Sequence, residues 1–149
     1  TLTSELVLTG AIDAQVAKKM PLSQIISFFE SEFGRELLIN HQVVKREQPF
    51  SMMMPAYEIF ADYPQTDDSQ LLIHGIIDGY FKTETGVVLY DFKTDYLPEN
   101  ASAEVIERVV NKYRGQMYLY QKALEHSLKE PVKAVKLVLL SINHVVDLR

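Results

Sequence analysis

The sequence predicts an α/β domain of α+β order: helices, an antiparallel run of strands, one long helix, then closing strands. Three observations carry this. Ile25, Phe29 and Phe33 recur at near-helical spacing in PLSQIISFFESEFG. Leu71–Phe81 and Val87–Lys93 are apolar, β-rich runs separated only by Thr83–Gly86. ASAEVIERVVNKYRGQMYLYQKALEHSLKE then returns to helical periodicity until Pro131 stops it. Such a pattern packs helices on a central sheet.

In chain order, Gly10 to Lys19 predicts a short helix interrupted by Pro21. PLSQIISFFESEFG is a second helix, with Pro21 in its first turn and Gly34 as its stop. HQVVKREQPF reads as a strand ended by Pro49, and SMMMPAYEIFADY as a second, irregular strand broken at Pro55. PQTDDSQ is a loop. The long helix is expected to bend near Gly115, and KAVKLVLLSIN and VVDL are the last strands. No linker interrupts the chain, so one domain over 1–149 is expected.

The chain has 149 residues, 47% hydrophobic and 23% charged, which suits a single sizeable core. No apolar run reaches the roughly 20 residues that span a bilayer, so no membrane association is expected. The residues TLTSELVL lack a basic signal-peptide start, and cysteine is absent; both fit the cytoplasm. Without cysteine there are no disulfides, thiolate zinc sites, iron–sulfur clusters or cysteine nucleophiles. The net charge of −5 argues against a general duplex binder but allows a small site that meets a few phosphates through metal ions. The chain opens on Thr1, which suggests a piece of a longer protein.

The hairpin HGIIDGYFKTETGVVLYDFKTD places charge inside apolar strands, where an unpaired carboxylate costs several kcal/mol to bury. Alternation puts Val87, Leu89, Asp91 and Lys93 on one face. If Glu84–Thr85 is a two-residue turn, Asp78 falls directly opposite Asp91. Two facing carboxylates repel. Lys93 offsets one charge; a hard divalent cation such as Mg²⁺, Mn²⁺ or Ca²⁺ answers both. A register shifted by one residue would separate the aspartates. The alternative reading is an Asp91–Lys93 ion pair at a strand end, with Asp78 capping a turn. His74 reads as a structural or surface histidine, and Asp67–Asp68 as solvated loop.

GIIDGYF, YDFKTD and YRGQMYLYQKAL, in that order and with VVKREQPF upstream, resemble the PD-(D/E)XK nuclease superfamily in its RecB-like branch. Within it they resemble the C-terminal nuclease domain of AddA/RexA-type helicase–nuclease A subunits. The resemblance runs from about Leu22 to the C-terminus and implies a restriction-endonuclease-like core: a central mixed sheet with an antiparallel meander, flanked by helices. It implies that Asp78 and Asp91 bind metal, that the Phe92 carbonyl is a further ligand, and that Lys93 orients or deprotonates the attacking water. Gln116 and Tyr120 match the QxxxY motif on the helix beside the site; being four apart, they share a helix face, although that face also suits core packing with Tyr113, Met117 and Leu124. Arg46 and Glu47 match the family's RE pair, where Glu47 would buttress the sheet.

The implied activity is Mg²⁺-dependent DNA phosphodiester hydrolysis by an exonuclease, with Mn²⁺ able to substitute, in double-strand break repair and recombination. The implied partners are DNA, as single strands from a helicase motor, the rest of an A subunit, and a B subunit. Some relatives flank this core with cysteines that hold an iron–sulfur cluster; this chain has none. The branch's upstream G–x–x–x–H segment is not found before Leu22, so the metal site is expected to be incomplete in this stretch. Two alternatives stand beside this reading: a non-catalytic nuclease-like module within a helicase complex, and a restriction-type endonuclease with the same DxK core.

Overall fold

The computed structural model describes residues 14–149. Helix α1 is seen over Ala14–Lys19, and the rest of the Gly10–Lys19 expectation lies outside the described residues. Pro21, at φ −59°, precedes helix α2, Leu22–Glu30, as a fixed φ suits a helix entrance. This helix ends before Gly34. Ser31 instead caps a new helix α3, Glu32–Ile39, its side chain accepting from the Gly34 N–H at 3.3 Å. Gly34 is buried inside α3, and a Cβ there would lie 2.0 Å from the Phe28 carbonyl oxygen. The glycine is a close-approach residue at the corner of two helices and not a stop.

HQVV is likewise not a strand. Val43 and Val44 donate to the Asn40 carbonyl in a turn that ends α3. Strand β1 then runs Lys45–Pro55 straight through Pro49, so the two expected strands are one. The five-stranded sheet has the order β1-β2-β3-β4-β5, and an edge strand tolerates a residue without an N–H. The break at Pro55 is real, but AYEI forms a one-turn helix α4, Ala56–Ile59, and no second strand.

Strand β2 spans Gln70–Thr83 and β3 spans Gly86–Lys93, with Glu84–Thr85 as the turn. Helix α5, Ala103–Leu128, starts at the Ser102 cap and runs through Gly115 without interruption. Strand β4 covers Val132–Leu139; the expected continuation through Asn143 is instead a 3₁₀ turn over Leu140–Ile142, followed by β5, His144–Asp147. Strands β1, β2 and β3 form an antiparallel meander, β3 and β4 are parallel across the α5 crossover, and β5 returns antiparallel. This mixed sheet flanked by helices is consistent with the restriction-endonuclease-like core that the sequence predicts.

Helices cover both faces. Ile25, Phe28 and Phe33 pack with Phe81, Val88, Tyr90 and Phe92 on one side. Met117 and Leu124 of α5 pack with Val87, Leu89, Val135 and Leu137 on the other. A strand covered on both faces is apolar at successive positions. That makes Asp91, at 3% exposure within β3, the chemical exception. No described helix is long and apolar enough to cross a membrane.

Gly34→Ala and Gly115→Ala should therefore differ in sign. The first drives a methyl into backbone and should cost about 1–3 kcal/mol or more. The second meets nothing within 4 Å and should gain roughly 0.5–1 kcal/mol of helix propensity. Urea unfolding midpoints read both; equal midpoints would contradict the corner assigned to Gly34.

Candidate active site

The hairpin register sets the site. Gly79 pairs with Tyr90, Tyr80 with Leu89 and Thr83 with Gly86, and the same register continued by one residue sets Asp78 opposite Asp91. The regular ladder stops one residue short of that pair. On the other side of β2, Arg46 pairs with Gly79 and Gln48 with Ile77, while the intervening Glu47–Asp78 pair is missing. Both ladders thus open on the same rung, Glu47–Asp78–Asp91. Glu47 sits there at φ 50°, a left-handed conformation that costs a non-glycine residue on the order of 1 kcal/mol. Ile77 and Tyr80 both reach the α5-side core although they are three residues apart, so β2 turns over between them. Gly79 permits this, since a Cβ there would strike the Tyr90 ring at 2.2 Å.

The opened rung frees the Phe92 N–H, and Asp78 Oδ2 accepts it at 2.8 Å. A carboxylate takes the place of a backbone acceptor. Asp78 is therefore no turn cap. Phe92 itself turns its ring to the opposite core, 5.5 Å from Phe28.

Asp91 is the strained member. Burial pushes its carboxyl up to about 7, the neighbouring Asp78 charge adds to that, and Lys93 works against both. The ion pair of the alternative sequence reading is present: Lys93 Nζ lies 2.8 Å from Asp91 Oδ2. Yet Oδ2 is fully buried and receives no directed hydrogen bond. The ammonium neutralises its charge without saturating its lone pairs.

Lys93 is held from α5. Its Nζ donates to Gln116 Oε1 at 2.8 Å and stands 4.2 Å above the centre of the Tyr113 ring. The Tyr113 hydroxyl donates to Asp95 Oδ1 at 2.7 Å, and Lys112 Nζ reaches Asp95 Oδ2 at 3.0 Å. The Ser141 hydroxyl fixes the Asp95 carbonyl at 2.6 Å. Tyr120 meets Phe50 edge-on at 5.3 Å, and its hydroxyl is raised by burial and by the charges of Asp91 and Asp78, so it both packs and borders the carboxylates.

Asp78, Asp91, Lys93 and Gln116 thus converge, with Tyr120 at the margin. Glu47 and Asp78 line a cleft of about 530 Å³ together with Lys19, Pro49, Ile76 and Phe92. No group of three or more His, Cys, Asp or Glu converges to hold a metal ion among the described residues, so Glu47 does not join the two aspartates as a third ligand. Asp67 accepts from the Ser69 N–H at 2.8 Å in the loop, and His74 is exposed, both as the sequence suggests. Sequence reasoning missed Tyr113 and Asp95 as parts of the site. Spacing puts Tyr113, Gln116 and Tyr120 on one helix face, but the same spacing suits core packing, and no sequence signal singles out Asp95.

No family model matches the chain. It is similar to proteins named as the A subunit of an ATP-dependent helicase/nuclease. The relative from Enterococcus faecalis is 44% identical over 134 residues, covering 90% of this chain and 10% of the relative. That from Pediococcus pentosaceus is 44% identical over 146 residues, covering 97% and 12%. That from Lacticaseibacillus paracasei is 44% identical over 147 residues, covering 99% and 11%. The chain spans about a tenth of the length of these relatives.

The raised Asp91 carboxyl sets a pH dependence. In metal-free buffer the folded chain holds this proton up to about pH 7, whereas the unfolded chain releases it near 3.8. Folding thus binds a proton in that window, and this group lowers stability as pH rises through it. Asp91→Asn removes the penalty. Its urea midpoint, relative to the parent with a chelator present, should rise steadily from about pH 4 to pH 8. A constant difference would show that Asp91 ionises normally.

Proposed function

We propose that the chain is a metal-dependent deoxyribonuclease domain of PD-(D/E)XK type, acting as an exonuclease within an ATP-dependent helicase–nuclease. The observation that carries this reading is the facing pair Asp78 and Asp91 on an opened rung, with the Lys93 ammonium 2.8 Å from Asp91. A structural ion pair needs one carboxylate; the second, set against it, is unfavourable unless a cation is shared. The names of the relatives support the helicase–nuclease setting and, as that of an A subunit, a partner protein beside it; their length supports a longer protein around this domain, while the role in DNA repair and recombination rests on the family resemblance.

The donor set fits a hard cation, Mg²⁺ or Mn²⁺. Both aspartates offer carboxylate oxygens, Asp91 Oδ2 keeps unsaturated lone pairs beside the Lys93 ammonium, and the Phe92 carbonyl is the expected third ligand. When bound, such a cation supplies Lewis-acid polarisation of a phosphoryl oxygen and a lowered pKa for water at the site.

The chain's own groups do the rest. Lys93 presents positive charge to the non-bridging phosphoryl oxygens, where negative charge accumulates in the pentacovalent transition state. Gln116 Oε1 and the Tyr113 ring hold that ammonium in one place, so little reorganisation is needed when the charge develops. Asp91, paired with Lys93, aligns it from the strand side. Tyr120 and Phe50 close the margin next to the carboxylates.

In the longer protein that carries this domain, Asp91→Ala and Lys93→Ala should each lower Mg²⁺-dependent cleavage of a single-stranded oligonucleotide by about 100-fold or more. Gln116→Ala leaves the ammonium its two other partners and should cost about tenfold. Cleavage by either of the first two variants at the parent rate would eliminate the nuclease assignment and favour a non-catalytic module.

A further inference from the structure

Resting on the nuclease reading, the loop after Lys93 identifies how the site could choose its strand. Tyr96 is 86% exposed, more than any other large apolar side chain among the described residues. A tyrosine ring in water forgoes burial worth about 2 kcal/mol, so a flat partner that covers a ring held out by anchored neighbours gains that burial. The neighbours are rigid. Asp95 is fixed at both side-chain oxygens by Tyr113 and Lys112, and its carbonyl by Ser141. Leu97, on the other side, is buried in the α5-side core. The chain is pinned immediately before and after Tyr96, and the ring between them is presented outward.

Its place is equally specific. Asp95 bonds the tyrosine whose ring carries the Lys93 ammonium, so Tyr96 stands one residue from the network that holds the catalytic lysine. Glu99 and Asn100 follow exposed after Pro98, and no other exposed large apolar side chain adjoins Tyr96 in the loop. Protein interfaces bury clusters of apolar groups. A single flat ring among exposed neighbours suits one flat heteroaromatic partner, and the residue before it, Asp95, is tied to Lys112 and to the tyrosine under Lys93, two cations of a kind that suits the attached phosphates.

We propose that Tyr96 is a stacking platform for an unpaired nucleobase beside the scissile phosphate, which makes the site selective for single-stranded DNA. A paired base keeps its faces stacked on its neighbours and cannot offer one to the ring. Stacking of this kind is worth about 1–3 kcal/mol per base, or roughly 5- to 150-fold in affinity.

The test measures binding apart from cleavage, by fluorescence anisotropy of a labelled single-stranded oligonucleotide on the full chain with chelator present. Tyr96→Ala should weaken binding at least about fivefold, Tyr96→Phe should stay within about twofold, and duplex of the same sequence should bind both alike. One abasic position, scanned along the oligonucleotide, should reproduce the loss in the parent and add nothing in Tyr96→Ala. Unchanged single-strand binding by Tyr96→Ala, equal losses for single strand and duplex, or an equal loss in Tyr96→Phe would overturn the proposal, as would absence of single-strand binding by the parent. Tyr96 is exposed, so the variants should keep the parent's urea midpoint, and a shifted midpoint would mean that the ring packs within the fold and would also overturn it. Absence of Mg²⁺-dependent cleavage by the longer protein that carries this domain counts against the nuclease reading alone.

Discussion

The hydrogen bond from the Phe92 N–H to Asp78 Oδ2, at 2.8 Å, is the interaction from which the rest of the site follows. In a regular meander that N–H would belong to the ladder. Here a side chain takes it, so the strands can part without leaving a buried donor unsatisfied. The parting lets β2 turn over at Gly79 and leaves Asp91 facing a second carboxylate. An opened rung normally weakens a sheet. The helices on both faces and the parallel β3–β4 pair beside it keep this one closed around the gap.

Electrostatics at the gap are deliberately unbalanced. A buried ion pair on its own rarely adds stability, because desolvation offsets the attraction. Asp91 and Lys93 carry that cost, and Asp78 adds repulsion. The lysine is spread over three partners: a carboxylate on its own strand and an amide and an aromatic ring on α5. Each fixes a different direction, so the ammonium is located by geometry as well as by charge. Stability is given up locally in return for placed charge, a common state of functional sites.

The hairpin was legible in the sequence because a two-residue turn leaves only one register, and one register decides which side chains face each other. Asp78 opposite Asp91 follows from counting. Pro49 misled, since whether a strand can hold a proline depends on its being at an edge, a fact of the whole sheet. Gly34 misled for a similar reason: its purpose is a contact with the Phe28 backbone, invisible without the neighbouring helix. The left-handed turn at Glu47 has no local signature at all. Tyr113 looked like core because its spacing is that of core, and only the position of Lys93 shows what its ring face meets.

The crossover between β3 and β4 has a temporal meaning. Lys93 lies at the end of β3, its partners lie on α5, and α5 is the connection that must fold back before the parallel pair can form. Helix α5 can gain its hydrogen bonds early and locally, and the hairpin needs only its own turn. Lysine and helix, by contrast, meet only when the connection 94–102 folds back and docks α5 on the sheet, a tertiary step that neither element completes alone. A chain caught halfway would own a helix and a hairpin but no assembled charge cluster. The charge cluster is thus a property of sheet and helix docked together, since neither element carries all of its members.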